Sequence, residues 1–243
     1  MNMGTAENTT YSVGTLSYTR WGLVNIFVWL LWGDFCFSMM EILIPVLLPL
    51  FLKQHDASAT TIGIIVGSIP ALLNFIINPI VSTCSDRTRS RWGQRIPYLF
   101  FTSPFVTLFL ILLGWSDDIG AWLQASVLNG GFSVSAVVIS LVIFFAIGFQ
   151  VFNMFVSSVF YYIFADVVPE QFMGRFMAAF RVVGTLAGFI FHKFILGHAK
   201  EHMPWIFTIV ALIYLVSFSL MCLRVKEGEY PPVRKDEKKP NMF

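Results

Sequence analysis

Six stretches of the chain are almost continuously apolar: residues 21–51, 61–83, 97–115, 134–164, 176–196 and 204–223. Polar and charged residues gather between them. Each stretch reaches the about 18 residues that a helix needs to cross a bilayer, and none alternates with the period of a barrel strand. Only helices and closed barrels satisfy their own backbone in lipid, so the pattern predicts six transmembrane helices. The first and fourth stretches exceed what a hydrocarbon core of about 30 Å demands and should tilt or protrude. The expected fold class is an all-α membrane protein, with a polar tail over 1–20, a six-helix bundle over 21–223 and a second polar tail over 224–243.

Composition agrees. The chain is 56% hydrophobic and only 12% charged, far from the balance of a soluble domain. The first twenty residues lack the basic start and small-residue cleavage site of a secretory signal, so the first span is expected to stay in the protein. Asn8-Thr9-Thr10 matches a glycosylation sequon, a pattern short enough to arise by chance. Arg87, Arg89, Arg91, Arg95, Arg175, Arg224, Lys226, Arg234, Lys235, Lys238 and Lys239 fall on one side of the expected membrane. Lys53 and Lys200 fall on the other, with Lys193 near it. That bias predicts a cell-membrane (inner-membrane) protein with both termini cytoplasmic. The net charge of +2 is too small for a nucleic-acid partner. Cys36, Cys84 and Cys222 are scattered and odd in number, so neither a disulfide framework nor a metal site is expected, and no cofactor is called for.

The segment SDRTRSRWGQRIP, residues 85–97, carries four arginines behind Asp86. A basic loop after a second helix can serve only to fix topology. Its order suggests more: Asp86 closes one helix, Trp92 and Gly93 supply an interfacial anchor and a tight turn, and Arg95 with Pro97 opens the next. An acid so placed can pair with guanidinium groups across the turn and act as a latch, built from Asp86, Arg87, Arg89, Arg91, Gly93 and Arg95.

Asn78-Pro79-Ile80-Val81 followed by this run resembles the helix 2–3 signature of the major facilitator superfamily. The form is that of the glycoside–pentoside–hexuronide:cation symporter family, which includes melibiose permease, and plant sucrose transporters carry a similar run. Ser82 stands where a glycine is usual. The resemblance implies twelve helices in two six-helix halves, substrate between the halves, and alternating access by rocking of one against the other, with the helix 2–3 loop stabilising one state. It covers nearly all of this chain but half of such a carrier.

Charges at bilayer depth cost roughly 2.5–3.5 kcal/mol each on insertion scales, so those that persist usually face a cavity or the bundle interior. Asp34, Glu41 and Arg181 stand out. Asp34 and Glu41 lie seven residues apart, on nearly one helix face, with Phe27, Phe37, Ser38 and Pro45 beside them. Acids next to aromatic rings suit a sugar, and a structural pairing with Arg181 is the alternative. The WGDF at 32–35 and the RVVGTLAGF at 181–189 resemble the family's helix-one and helix-five sugar-site stretches, which implies Asp34 and Arg181 as sugar ligands. Gln150, Asn153, Ser157 and Tyr161 form a polar stripe on helix four that either lines the cavity or packs on a neighbour. The family's helix-four aspartate has no clear counterpart, Tyr161 being nearest. Asp166, in ADVVPEQFMGR, mirrors Asp86 in the helix 4–5 loop and is read as structural or gating. The GTLAG at 184–188 is expected to permit close helix packing.

In sodium-coupled members two aspartates hold the cation on helix two; here the positions are Asn74 and Asn78. Amides supply dipoles where carboxylates supply charge, so sodium coupling is expected to be weak or absent. Asp34 or Glu41 can bind a proton instead, uniport is the other outcome, and the asparagines can also serve as interhelical glue.

The expectation is therefore secondary transport of sugars or glycosides, proton-coupled if coupled, by a chain that needs a C-terminal six-helix half or a second copy. Truncation, a split carrier and a dimer subunit all fit that need. A non-transporting six-helix scaffold or subunit is the alternative. No Gly-x-Gly-Asp, His-Glu-x-x-His or Gly-x-Ser-x-Gly run suggests an intramembrane enzyme.

Overall fold

The structure, a computed structural model, describes residues 11–87, 92–127 and 131–228, with the side chains of 82 and 84–87 left aside. It begins with an antiparallel hairpin, β1 (Tyr11–Val13) and β2 (Leu16–Tyr18), in which Tyr11 pairs with Tyr18. This hairpin lies in the stretch expected as a tail. Tyr11 packs edge-on against Phe172 at 5.0 Å.

Helices make up nearly all the rest. They are α1 (Arg20–Gln54), α2 (Ala59–Gly63), α3 (Ile69–Arg87), α4 (Ile96–Gly114), α5 (Ser116–Ser126), α6 (Val134–Val167), α7 (Glu170–Ile190) and α8 (Ala199–Arg224). Hydroxyls cap several starts: Thr19 accepts from the Gly22 N–H, Ser58 from Thr61 and Ser133 from Ala136. At 35 residues α1 is about 50 Å long, more than the bilayer core, as its apolar stretch suggested.

Two spans contain irregular joints, each with a proline at or near it. A π-helical turn, Ile64–Ser68, links α2 to α3 just before Pro70, which has no N–H to offer Val66 and crowds its carbonyl. Between α7 and α8 come a π-helical turn (Phe191–Ile195) and a 3-10 turn (Leu196–His198), and His202 leaves helical geometry two residues before Pro204. The stretch from Glu170 to Arg224 thus reads as one 55-residue helical run or as two helices, so the described residues form five to six long apolar helices. The short α5 was not announced by the apolar pattern. It packs on α6, and Asp117 in its first turn meets His55 at the end of α1, with Nε2 and Oδ1 2.6 Å apart.

The core runs along α1, α4, α6 and α8. Leu30, Met40, Leu43 and Leu47 of α1, Leu99 and Leu110 of α4, Val156 and Ile163 of α6, and Ala211 and Met221 of α8 are fully buried. Rings reinforce it: Phe37, Phe160 and Phe218 pack mutually at 5.3–6.2 Å, and Tyr214 lies 5.0 Å from Phe218. In contrast, α3 and α7 touch the body along one side each, α3 through α6 and α7 through α1 and the Phe164 and Tyr161 rings of α6.

Candidate functional site

The polar face of α1 meets α7, α6 and α3 around two adjoining hollows. The first, about 420 Å³, is lined by Ser38, Glu41 and Pro45 of α1, Tyr161 of α6, and Phe180, Arg181, Gly184 and Thr185 of α7, with Ile42 beside them. The second, about 560 Å³, is lined by Glu41 of α1, Asn74, Asn78 and Pro79 of α3, and Ser157, Ser158, Tyr161 and Tyr162 of α6. Glu41 and Tyr161 belong to both. The residues fall together because α1 repeats its polar positions one helical turn apart, at 34, 38 and 41, with Pro45 next on that face, and α7 does the same at 181 and 185. Pro45 also leaves the Glu41 backbone carbonyl without its usual partner, adding an acceptor to the face.

Asp34 sits behind the first hollow and does not line it. Only 1% of it is exposed; its Oδ1 accepts from Ser38 Oγ at 3.4 Å, and its Oδ2 has no partner among the described residues. Arg181 is exposed to the hollow, and no ion pair between it and Asp34 forms among the described residues. Asn153 is buried close to Glu41. Asn78 Nδ2 donates to Asn74 Oδ1, and Ser158 Oγ donates to Asn78 Oδ1 at 2.5 Å, so the asparagines tie α3 to α6 while also facing the second hollow. Two expected ligands lie elsewhere. Phe27 is two turns from Asp34 on α1 and packs edge-on against buried Phe176 at 5.0 Å. Gln150 lines a small apolar crevice between α1, α3 and α6 with Ile44, Ile65 and Ile147. Thr185 and Ser158 line the hollows although the sequence reading passed over them; their positions one turn from Arg181 and from Tyr161 or Tyr162 were the available signal.

A second polar constellation closes one end of the bundle. Arg95, at the N-cap of α4, pairs through Nε with Asp166 Oδ2 near the end of α6 and lies over the Tyr162 ring at 4.8 Å. Asp166 thus ties the end of α6 to the residue that opens α4. Gly93 has a φ of 111°, a left-handed value that favours glycine, and a Cβ there would come within 2.7 Å of the Glu227 side chain. Glu227, which the sequence reading did not single out, accepts from the backbone N–H groups of Gln94 at 2.7 Å, Arg95 at 2.9 Å and Ile96 at 2.6 Å. Burial pushes its carboxyl above the ordinary range, and these N–H groups pull it part of the way back. The side chains of Asp86 and Arg87, and residues Arg89 and Arg91 altogether, lie outside the described residues.

Among the described residues no group of three or more His, Cys, Asp or Glu side chains converges as a metal site would require. A bundle of long apolar helices with polar hollows walled by four of them is a multi-pass membrane protein. The family described as MFS/sugar transport protein matches residues 30–242, and the chain belongs to it. Relatives agree in kind. The chain is 27% identical over 174 residues to a general alpha-glucoside permease of Schizosaccharomyces pombe, a match covering 68% of this chain and 31% of the permease. It is 36% identical over 67 residues to a membrane-associated transporter protein of Homo sapiens, covering 27% of this chain and 12% of that protein. It is 35% identical over 49 residues to a sucrose transport protein of Oryza sativa subsp. japonica, covering 20% and 9%. No solved structure matches.

Proposed function

We propose that this chain is the N-terminal six-helix half of a sugar or glycoside carrier that works by alternating access and is proton-coupled, with both termini cytoplasmic. The observation that carries the reading is the wall of polar side chains at mid-helix: Ser38, Glu41, Tyr161, Arg181 and Thr185 offer donors, acceptors and a ring face around one hollow. A sugar asks for that mixture, since its hydroxyls donate and accept while its C–H face packs on an aromatic ring. The family and the sugar names of two relatives support the substrate class. In this reading a further six-helix segment supplies the opposite wall, Arg181 donates to sugar oxygens, Asp34 contributes an acceptor, and Glu41 takes the coupling proton. Asn74 and Asn78 are too weak electrostatically to hold sodium. Arg95 and Asp166, with the loop arginines, stabilise one access state.

Uptake of labelled methyl α-D-glucoside into vesicles, with a matching second half supplied, tests the assignment. Asp34→Asn and Arg181→Ala should each lower kcat/KM by about tenfold or more, the loss expected when a charged hydrogen bond to substrate disappears. Parent-like uptake by both variants would refute the site. If the chain is instead a scaffold, no preparation takes up the sugar and exchange of Arg95 for lysine is silent.

A further inference from the structure

Asp34 poses a problem: a carboxylate behind the wall of a hollow is of no use to a ligand unless something opens the wall. The break lies at Gly184. A Cβ built there would stand 3.4 Å from Ser38 Oγ and 4.0 Å from Asp34 Oδ2, with nothing else within 4 Å. The Oδ2 facing that space is the oxygen with no partner, on a side chain 1% exposed. Ser38 and Gly184 both line the first hollow, and Arg181 lies one turn away on the same helix. An unpartnered, buried carboxylate oxygen is costly to leave unsatisfied, so it marks a place where a donor is accepted.

We propose that Gly184 is the port through which Asp34 reaches the hollow, and that the missing side chain determines which substrate hydroxyl is recognised. The proposal rests on the sugar reading above. A hydroxyl oxygen resting against the bare Gly184 Cα, on the side where a Cβ would project, can close to hydrogen-bond distance of Oδ2, whereas a Cβ would hold it away by its own van der Waals radius. At that point the Ser38 hydroxyl is its neighbour, and Arg181 lines the same hollow one turn away on α7. The port admits a group the size of a hydroxyl. Its ligand class is thus a polyol whose hydroxyl is both donor to Asp34 and acceptor toward the hollow. Gly184 itself touches nothing chemically; it is a specificity-determining residue by virtue of its absent side chain.

The test is Gly184→Ala in the chain with its second half, assayed with labelled methyl α-D-glucoside and its monodeoxy analogues. A Cβ at 3.4–4.0 Å from its neighbours is ordinary contact, so the helix packing tolerates alanine while the port is filled. The parent should discriminate against one monodeoxy analogue by about tenfold or more, and Gly184→Ala should erase that preference by raising KM for the complete sugar while leaving the analogue unchanged. A variant that fails to fold loses both substrates alike, and in that case Gly184→Ser, whose own hydroxyl satisfies Oδ2, should again take up the analogue at the parental rate. In an Asp34→Asn background the alanine should have no further effect on KM. Gly184→Ala that keeps the parental preference, or whose effect adds fully to that of Asp34→Asn, overturns the port. Absence of any glucoside uptake by the parent overturns the sugar reading, and the port with it.

Discussion

Arg95 does two things that a lysine could not do together. Its guanidinium donates through Nε to Asp166 and lies over the Tyr162 ring, and both partners of the ion pair are largely buried, at 12% and 18% side-chain exposure. Lysine offers a compact, strongly hydrated charge without the planar fork. Arg95→Ala should destabilise the protein by about 3 kcal/mol because it strands a buried carboxylate, whereas Arg95→Lys should cost about 1 kcal/mol. Thermal unfolding in detergent reads both, and equal midpoints for parent and variants would mean that the pair contributes nothing. At this scale the sequence was legible where chemistry is unusual for its surroundings. Arg95, Asp166, Glu41 and Arg181 stood out as charges beside or within apolar runs, and each lines a hollow or joins two helices. Phe27 and Gln150 lie away from the two hollows because spacing fixes a helix face but not which neighbour arrives at each depth: α7 brings Phe176 to one, and the π-helical turn before α3 brings Ile65 close to the other.

Among the elements, the long spans followed directly from apolar runs, while the short pieces did not. The hairpin, α5 and the two π-helical turns depend on a few residues each, too little for periodicity to resolve. Nor could the sequence reveal who caps α4. Its first N–H groups are satisfied by Glu227, some 132 residues later, so the segment after α8 is docked on the N-terminal end of α4 by the Glu227 carboxylate accepting from three backbone N–H groups. Because burial raises the Glu227 carboxyl above its ordinary 4.5, the docked form binds a proton more tightly than the released one. Docking is then strongest at pH below the ordinary carboxyl value and weakens as pH rises through the raised one. Spin labels at Lys226 and Phe101, both exposed, should show a narrow distance distribution in acid that broadens toward neutrality. Glu227→Gln should abolish the pH dependence; a parental distribution indifferent to pH would contradict the docking account.

For the molecule as a whole, the division of labour follows the packing. The ring-filled seam of α1, α6 and α8 holds the body together, while α3 and α7, attached along one side each, carry the asparagine pair and the arginine toward the hollows. Glu41 stands between them. Glu41→Gln keeps its shape and hydrogen-bonding reach but removes its exchangeable charge. In vesicles with the second half supplied, the variant should still equilibrate labelled glucoside but should no longer accumulate it against a gradient or alkalinise the medium as sugar enters. Accumulation at the parental level would assign the proton elsewhere. A carboxylate common to both hollows has a thermodynamic corollary. Whatever occupies one chamber and draws on that group alters the affinity of the other chamber's occupant, and reciprocity requires the effect to be equal in both directions. Two guests sharing one host atom are coupled even if no helix moves.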